Sequence, residues 1–142
     1  MAELAALLFD VDGTLADTER GHLEAFNTAF AQAGLDWSWS PELYTELLAV
    51  TGGKERIRHY LDKYRPDVPR PPDLDAFIAD LHRRKTEAYV AALDSGGLGL
   101  RTGVERLFRE ARDAGLTLAI ATTTTPANVT ALLRNTLGDE AL

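Results

Sequence analysis

Asp10 and Asp12 flank a single residue and run directly into Gly13 and Thr14. In extended geometry two such carboxylates leave the chain on the same side. With backbone groups freed at Gly13, the pair suits a hard cation such as Mg²⁺ and a phosphoryl group. A calcium loop of the EF-hand type also opens D-x-D, but it needs Gly at its sixth position and Glu at its twelfth. Counted from Asp10, those positions hold Leu15 and Gly21, which excludes it. A second cluster is Thr51-Gly52-Gly53-Lys54-Glu55-Arg56. Glycines beside a helix start leave N–H groups free to hold an anion, and Lys54 and Arg56 add positive charge at that end. A solvated loop with ordinary surface charge is the competing reading of this stretch. His82-Arg83-Arg84-Lys85 forms a basic patch, expected as a solvated helix face, with a phosphate-facing role for one side chain as the alternative.

The elements that must position these groups follow from periodicity. Leu4 to Phe9 is an unbroken apolar run ending in turn signals, expected as a strand buried on both faces of a parallel sheet. Ligands bind just beyond the carboxyl ends of such strands, where Asp10 and Asp12 sit. Thr18 is expected to cap a helix from Glu19 to Ala33, stopped by Gly34. Ser40-Pro41 starts a second helix as N-cap and first residue. A third runs from the glycine stretch to about Tyr64, and Asp73 caps a long fourth to about Leu93. Trp37 and Trp39 are expected to pack between these helices. Asp94 to Gly99 is glycine-rich and marks a flexible connection that, beside Thr14 to Thr18, would make a two-strand hinge. Gly103 to Ala114 is amphipathic. Leu116 to Ala121 reads as a second buried strand, followed by Thr122 to Thr125 and a helix with Thr125 as N-cap and Pro126 first. Right-handed crossovers would bring both strand ends to one sheet edge.

Composition narrows the class. The 142 residues are 45% hydrophobic, ordinary for a globular protein, and carry a net charge of -7. That charge argues against nonspecific nucleic-acid binding, whose footprint is a basic surface. No apolar run approaches the ~20 residues that span a bilayer. No basic leader with an apolar stretch opens the chain. The absence of cysteine excludes disulfides and thiolate metal sites and fits a cytoplasmic protein.

The string FDVDGTLADTE resembles the first motif of the haloacid dehalogenase superfamily, D-x-D-G-T-L after a hydrophobic strand. The resemblance implies an α/β fold: a Rossmann-like parallel-sheet core, incomplete here, over 1–16 and 97–142, with an all-helical cap over 17–96 inserted on hinge linkers. It implies that Asp10 is a nucleophile that becomes an aspartyl phosphate and that Asp12 is the general acid/base. Asp10 and Asp12 would also hold Mg²⁺. A carboxylate nucleophile splits one hard hydrolysis into two easier steps, and Mg²⁺ offsets the repulsion between phosphate and carboxylates. Thr122 matches the second motif, whose hydroxyl binds the transferring phosphoryl, and Thr123 would add backbone N–H contacts.

The cap resembles the subgroup containing β-phosphoglucomutase and the CbbY-type phosphatases of xylulose-1,5-bisphosphate, and the stretches around His22, TGGKERI, HRRKTE and LAIATTTTPANVTALL resemble the latter. By that likeness Glu19 and His22 approach the sugar, and Lys54 and Arg56 hold its distal phosphate. Thr102 replaces the Pro usual in the family's R-P-G turn. The family's third and fourth motifs, a Lys and an acidic pair, have no counterpart up to Leu142. Two core strands also leave apolar, unpaired edges open to self-association. The expectation is therefore a truncated chain, a fragment or part of a split assembly, weakly active or inactive alone. A β-phosphoglucomutase-like phosphotransferase, and a non-catalytic module binding Mg²⁺ and phosphate, are the alternatives.

Overall fold

The computed structural model describes residues 3–142, so Met1 and Ala2 of the expected core segment 1–16 lie outside the described residues. In chain order the elements are β1 (Ala6–Phe9), α1 (Glu19–Gln32), α2 (Pro41–Leu47), α3 (Gly53–Tyr64), α4 (Leu74–Asp94), α5 (Val104–Asp113), β2 (Thr117–Ile120) and α6 (Pro126–Leu137), with a 3₁₀ turn at Asp139–Ala141. β1 and β2 pair in parallel, Phe9 opposite Ile120, and Ala121 N–H donates to the Phe9 carbonyl at 2.9 Å. Asp10 and Thr122 therefore leave the same edge of the sheet, as the crossover rule requires. No helix among the described residues is long and apolar enough to cross a membrane.

Two apolar clusters hold the chain. One gathers Phe26, Phe30, Trp37, Trp39, Tyr44, Leu47, Ile57, Tyr60, Leu61, Ile78 and Leu81 from α1 to α4 and the loop before α2. The other joins Val11, Leu15, Ala16, Ala25, Tyr89, Leu93, Ala131 and Leu132, from the turn after β1, from α1, α4 and α6. α1 and α4 contribute to both, so these two helices tie the helical layer to the sheet end. Trp37 and Trp39 pack between helices as expected. The loop carrying Trp39 is clasped by Asn27: its Nδ2 donates to the Trp39 carbonyl (2.9 Å) and its Oδ1 accepts from the Trp39 N–H (2.8 Å). One side chain thus supplies the pairing a neighbouring strand would give, which satisfies backbone groups that burial would otherwise orphan.

Helix starts follow their sequence signals in part. Ser40 Oγ accepts from Leu43 N–H at 3.1 Å, and Asp73 Oδ1 from Ala76 N–H at 3.0 Å. Thr18 occupies its N-cap position but makes no side-chain cap; its hydroxyl donates instead to Asp12. Thr125 likewise precedes α6 without capping it. Just past the glycine-rich stretch Asp94 to Gly99, Ala16 bridges Leu100, and Arg101 N–H donates to the Leu15 carbonyl at 2.8 Å.

The strands depart most from expectation. They are shorter than the apolar runs, and they are not buried on both faces: Leu8 is 72% exposed and Leu118 37%. Leu8 and Leu118 lie on opposite faces by the register, and Thr117 to Ala119 are exposed in succession, so a sheet of two strands leaves parts of both faces to solvent among the described residues.

Candidate active site

β1 ends at Phe9, and a tight turn carries the two aspartates. Thr14 N–H and Leu15 N–H both donate to the Val11 carbonyl (3.1 and 2.9 Å). Val11 is buried, which leaves its neighbours facing out. Gly13 takes φ +76° in this turn, a region open to glycine. Its backbone groups are not free, contrary to expectation: the N–H donates to the Ala16 carbonyl (2.9 Å), and the carbonyl accepts from Arg101 Nη1 (2.6 Å). Turn closure takes the N–H and Arg101 takes the carbonyl, so the carboxylates, rather than Gly13, are what the turn offers to a ligand.

Asp10 is exposed and accepts from the Thr14 hydroxyl at 3.2 Å. Asp12 is held more tightly. Its Oδ1 accepts from Thr18 Oγ1 at 2.5 Å and lies 2.7 Å from His22 Nε2. His22 Nδ1 lies 2.8 Å from Lys85 Nζ on α4. An ammonium only donates, so Nδ1 accepts and Nε2 carries the hydrogen given to Asp12. The row therefore runs Lys85 to His22 to Asp12, each group donating to the next. His22 stacks on Tyr89 with ring centroids 4.0 Å apart, and Lys85 Nζ lies 5.1 and 5.2 Å from the Phe26 and Tyr89 rings.

Burial sets the charges here. It would raise the Asp12 pKa, but the hydrogen bond and charge at His22, the Thr18 hydroxyl and the charge of Lys85 outweigh it and leave it lowered. Burial lowers His22, helped by Lys85 and Arg56 against the pull of Asp12. Burial also brings Lys85 down to about 8. His82 falls to about 4 by burial and the nearby charges of Lys85 and Lys54. At neutral pH the wall is an ionised Asp12, neutral histidines and a cationic lysine.

All eight residues singled out in the sequence line one cavity of about 400 Å³: Asp10, Asp12, Glu19, His22, Lys54, Arg56, Thr122 and Thr123. Asp10 and Asp12 come from the end of β1, Thr122 and Thr123 from the end of β2, Glu19 and His22 from α1, and Lys54 and Arg56 from the first turn of α3. Arg56 also braces the backbone. Its Nε and Nη2 donate to the Leu47 and Val50 carbonyls (3.1 and 2.9 Å), tying α3 to the end of α2. Gly53 allows α3 to approach α4. A Cβ there would stand 2.5 Å from the His82 ring.

Lys85 and His82 of the basic patch on α4, for which a phosphate-facing side chain was the alternative reading, also line this cavity, and the residues that sequence reasoning missed are Tyr44 on α2, Thr124 and Thr125 before α6, and Asn128 on it. Of the basic patch, Arg83 and Arg84 do face solvent, paired with Asp80 and Glu87. Lys85 turns inward. Its spacing from Ile78, Leu81 and Tyr89 on the buried face was the available signal.

Among the described residues, no three His, Cys, Asp or Glu side chains converge as a metal cage. Asp10 and Asp12 do stand together at the sheet edge of the cavity. That fits Mg²⁺, which binds through one or two carboxylates and completes its shell with water and phosphate.

The sequence from residue 4 to residue 142 matches the family model of the haloacid dehalogenase-like hydrolases. The chain is 56% identical over 135 residues to the plasmid protein CbbY of Cupriavidus necator, covering 95% of this chain and 53% of that one. It is 54% identical to CbbY of Rhodobacter capsulatus, over 98% of this chain and 59% of the relative. The structure superposes on Rhodobacter sphaeroides CbbY in complex with phosphate with a TM-score of 0.87 at 50% identity, over 96% of this chain and 58% of that one. A variant of that protein in complex with xylulose-1,5-bisphosphate gives a TM-score of 0.86 at 49% identity. The chain thus spans little more than half the length of the relatives it matches. With the D-x-D strand, the threonine loop and the helical wall all accounted for, it belongs to the haloacid dehalogenase-like hydrolases.

Proposed function

We propose that this chain carries the helical cap and part of the core of a Mg²⁺-dependent phosphatase for a small sugar phosphate, in particular a ketose bisphosphate such as xylulose-1,5-bisphosphate. The observation that carries this reading is the single cavity of about 400 Å³ with Asp10, Asp12 and Thr122 at the sheet edge and Lys54 and Arg56 on α3. The sheet edge offers a nucleophile and the first turn of α3 offers positive charge, a combination suited to a ligand with two phosphates. The complex of the related Rhodobacter sphaeroides protein with xylulose-1,5-bisphosphate supports the choice of ligand.

An Asp10 carboxylate oxygen attacks the phosphorus, a new P–O bond forms, and the bond to the sugar oxygen breaks. Asp12 gives its proton to that leaving oxygen. It then takes a proton from the water that hydrolyses the aspartyl phosphate, freeing inorganic phosphate and Asp10. In the ligand-free arrangement Asp12 is held as a carboxylate, its pKa lowered. An incoming phosphate dianion raises that pKa through like-charge repulsion, which favours the acid role while the substrate is present. Thr122 and Thr123 orient the phosphoryl. Glu19 and His22 face the sugar, and Lys54, with Arg56 behind it, faces the second phosphate. Asp10 and Asp12 would hold Mg²⁺, which when bound offsets the negative charge gathered there. The helices α1 to α4, carried on linkers near residues 17 and 96, form a cap whose closure excludes water.

The test is phosphate release by the chain, with Mg²⁺, from xylulose-1,5-bisphosphate and from a xylulose monophosphate. The bisphosphate is expected to be preferred, and Lys54→Ala to raise its KM about tenfold while leaving the monophosphate unchanged. Equal effects of Lys54→Ala on both substrates would contradict the two-phosphate reading.

A further inference from the structure

Asn128, the third residue of α6, is 3% exposed and lines the cavity. Its Nδ2 donates to Thr124 Oγ1 at 2.9 Å. Its Oδ1 is buried and has no partner among the described residues. A buried amide satisfied at one end only is costly, so packing and stability do not account for an asparagine here. What its amide group does is fix a neighbour. A hydroxyl that accepts a hydrogen bond keeps its own hydrogen to donate. Thr124 Oγ1 accepts from Asn128, and Thr122 Oγ1 accepts from Thr124 N–H at 3.2 Å. Neither hydroxyl donates to a protein acceptor among the described residues, and both line the cavity beside Asp10.

We propose that Asn128 is a positioning residue: it anchors the Thr124 hydroxyl as a second O–H donor, beside Thr122, to the phosphoryl group bound at the end of β2. Asn128 touches no ligand itself; it acts through Thr124. The assignment rests on reading the cavity as a phosphoryl site.

The test is titration of inorganic phosphate into the full chain, followed by ³¹P NMR, with thermal unfolding measured on each variant. Asn128→Leu keeps the shape and removes the orphaned oxygen, so its Tm should equal or exceed the parent's. Its phosphate affinity should fall about five- to tenfold, the scale of one ordinary hydrogen bond. Thr124→Val should weaken phosphate equally, and the double variant should bind no more weakly than Thr124→Val alone. That combination, an unharmed fold with a non-additive loss of affinity, is not what a structural asparagine gives. Undiminished affinity in Asn128→Leu, or a loss that adds in full to that of Thr124→Val, would overturn the assignment. If leucine cannot be housed, Asn128→Ala carries the same comparison. Failure of the parent chain to bind phosphate would instead remove the phosphoryl-site reading, and this assignment with it.

Discussion

Lys85 places a positive charge inside the helical layer at 5% exposure, and its surroundings only partly compensate. Its pKa falls from 10.5 to about 8, chiefly through burial. A lysine lowered in this way destabilises the fold in full below pH 8, and the penalty disappears as pH rises from 8 toward 10.5. The shift amounts to roughly 3 kcal/mol, from which about 1 kcal/mol is subtracted for the hydrogen bond to His22. Lys85→Met should therefore stabilise the chain by about 2 kcal/mol at pH 7, and the gain should vanish near pH 10, measured by urea denaturation at both values. A gain independent of pH would show that the ammonium is not the source. At this scale the sequence was legible where residue type and spacing are rare, as in Asp10-Val11-Asp12. It was only partly legible where a common residue does an uncommon thing, as in the basic patch, whose expected state was a solvated face. Lys85 closes a run of three consecutive basic residues after His82, and only its phase on α4 separates it from Arg83 and Arg84, which pair with Asp80.

The first turn of α3 is the element on which the anion-holding end depends. No side chain caps this turn, and its approach to α4 depends on the missing side chain of Gly53, where a Cβ would also stand 3.6 Å from Phe26 Cζ. Gly53→Ala must push His82 or the helix start aside. It should cost about 1–3 kcal/mol of stability, as overpacking does, and weaken phosphate binding along with it. Denaturation midpoints and the phosphate titration check both; unchanged values would mean that His82 moves freely and that the approach is not required. The helices were legible because their apolar periodicity and their Ser40, Pro41 and Asp73 signals are local. Thr18 and Thr125 carry the same local signal without the bond. For Thr18 the backbone is already helical (φ -93°, ψ -13°) rather than extended as a capping residue's is, and its hydroxyl points to the Asp12 carboxylate, which no local pattern announces.

At the level of the whole molecule, the apolar surface left open on the two-stranded sheet is the feature with the largest consequence. Leu4 and Leu8 are 65% and 72% exposed, and Leu118 on β2 is 37% exposed. Apolar strands with free edges associate. Sedimentation should show concentration-dependent self-association of the chain that Leu8→Lys reduces, and equal association in that variant would move the contact elsewhere. The parallel pairing and the meeting of both strand ends were legible from the apolar runs and the handedness rule. The exposure of those strands was not, because an apolar run reports what a strand is built to meet and not what covers it. The proposed chemistry turns on Asp10 as the residue that takes the phosphoryl group. Rapid quenching of the chain with Mg²⁺ and xylulose-1,5-bisphosphate labelled in its phosphates, followed by peptide mapping, tests this most directly. Label on the peptide containing Asp10, absent in Asp10→Asn, is the predicted result; label persisting in Asp10→Asn, or residing on another residue, would contradict it.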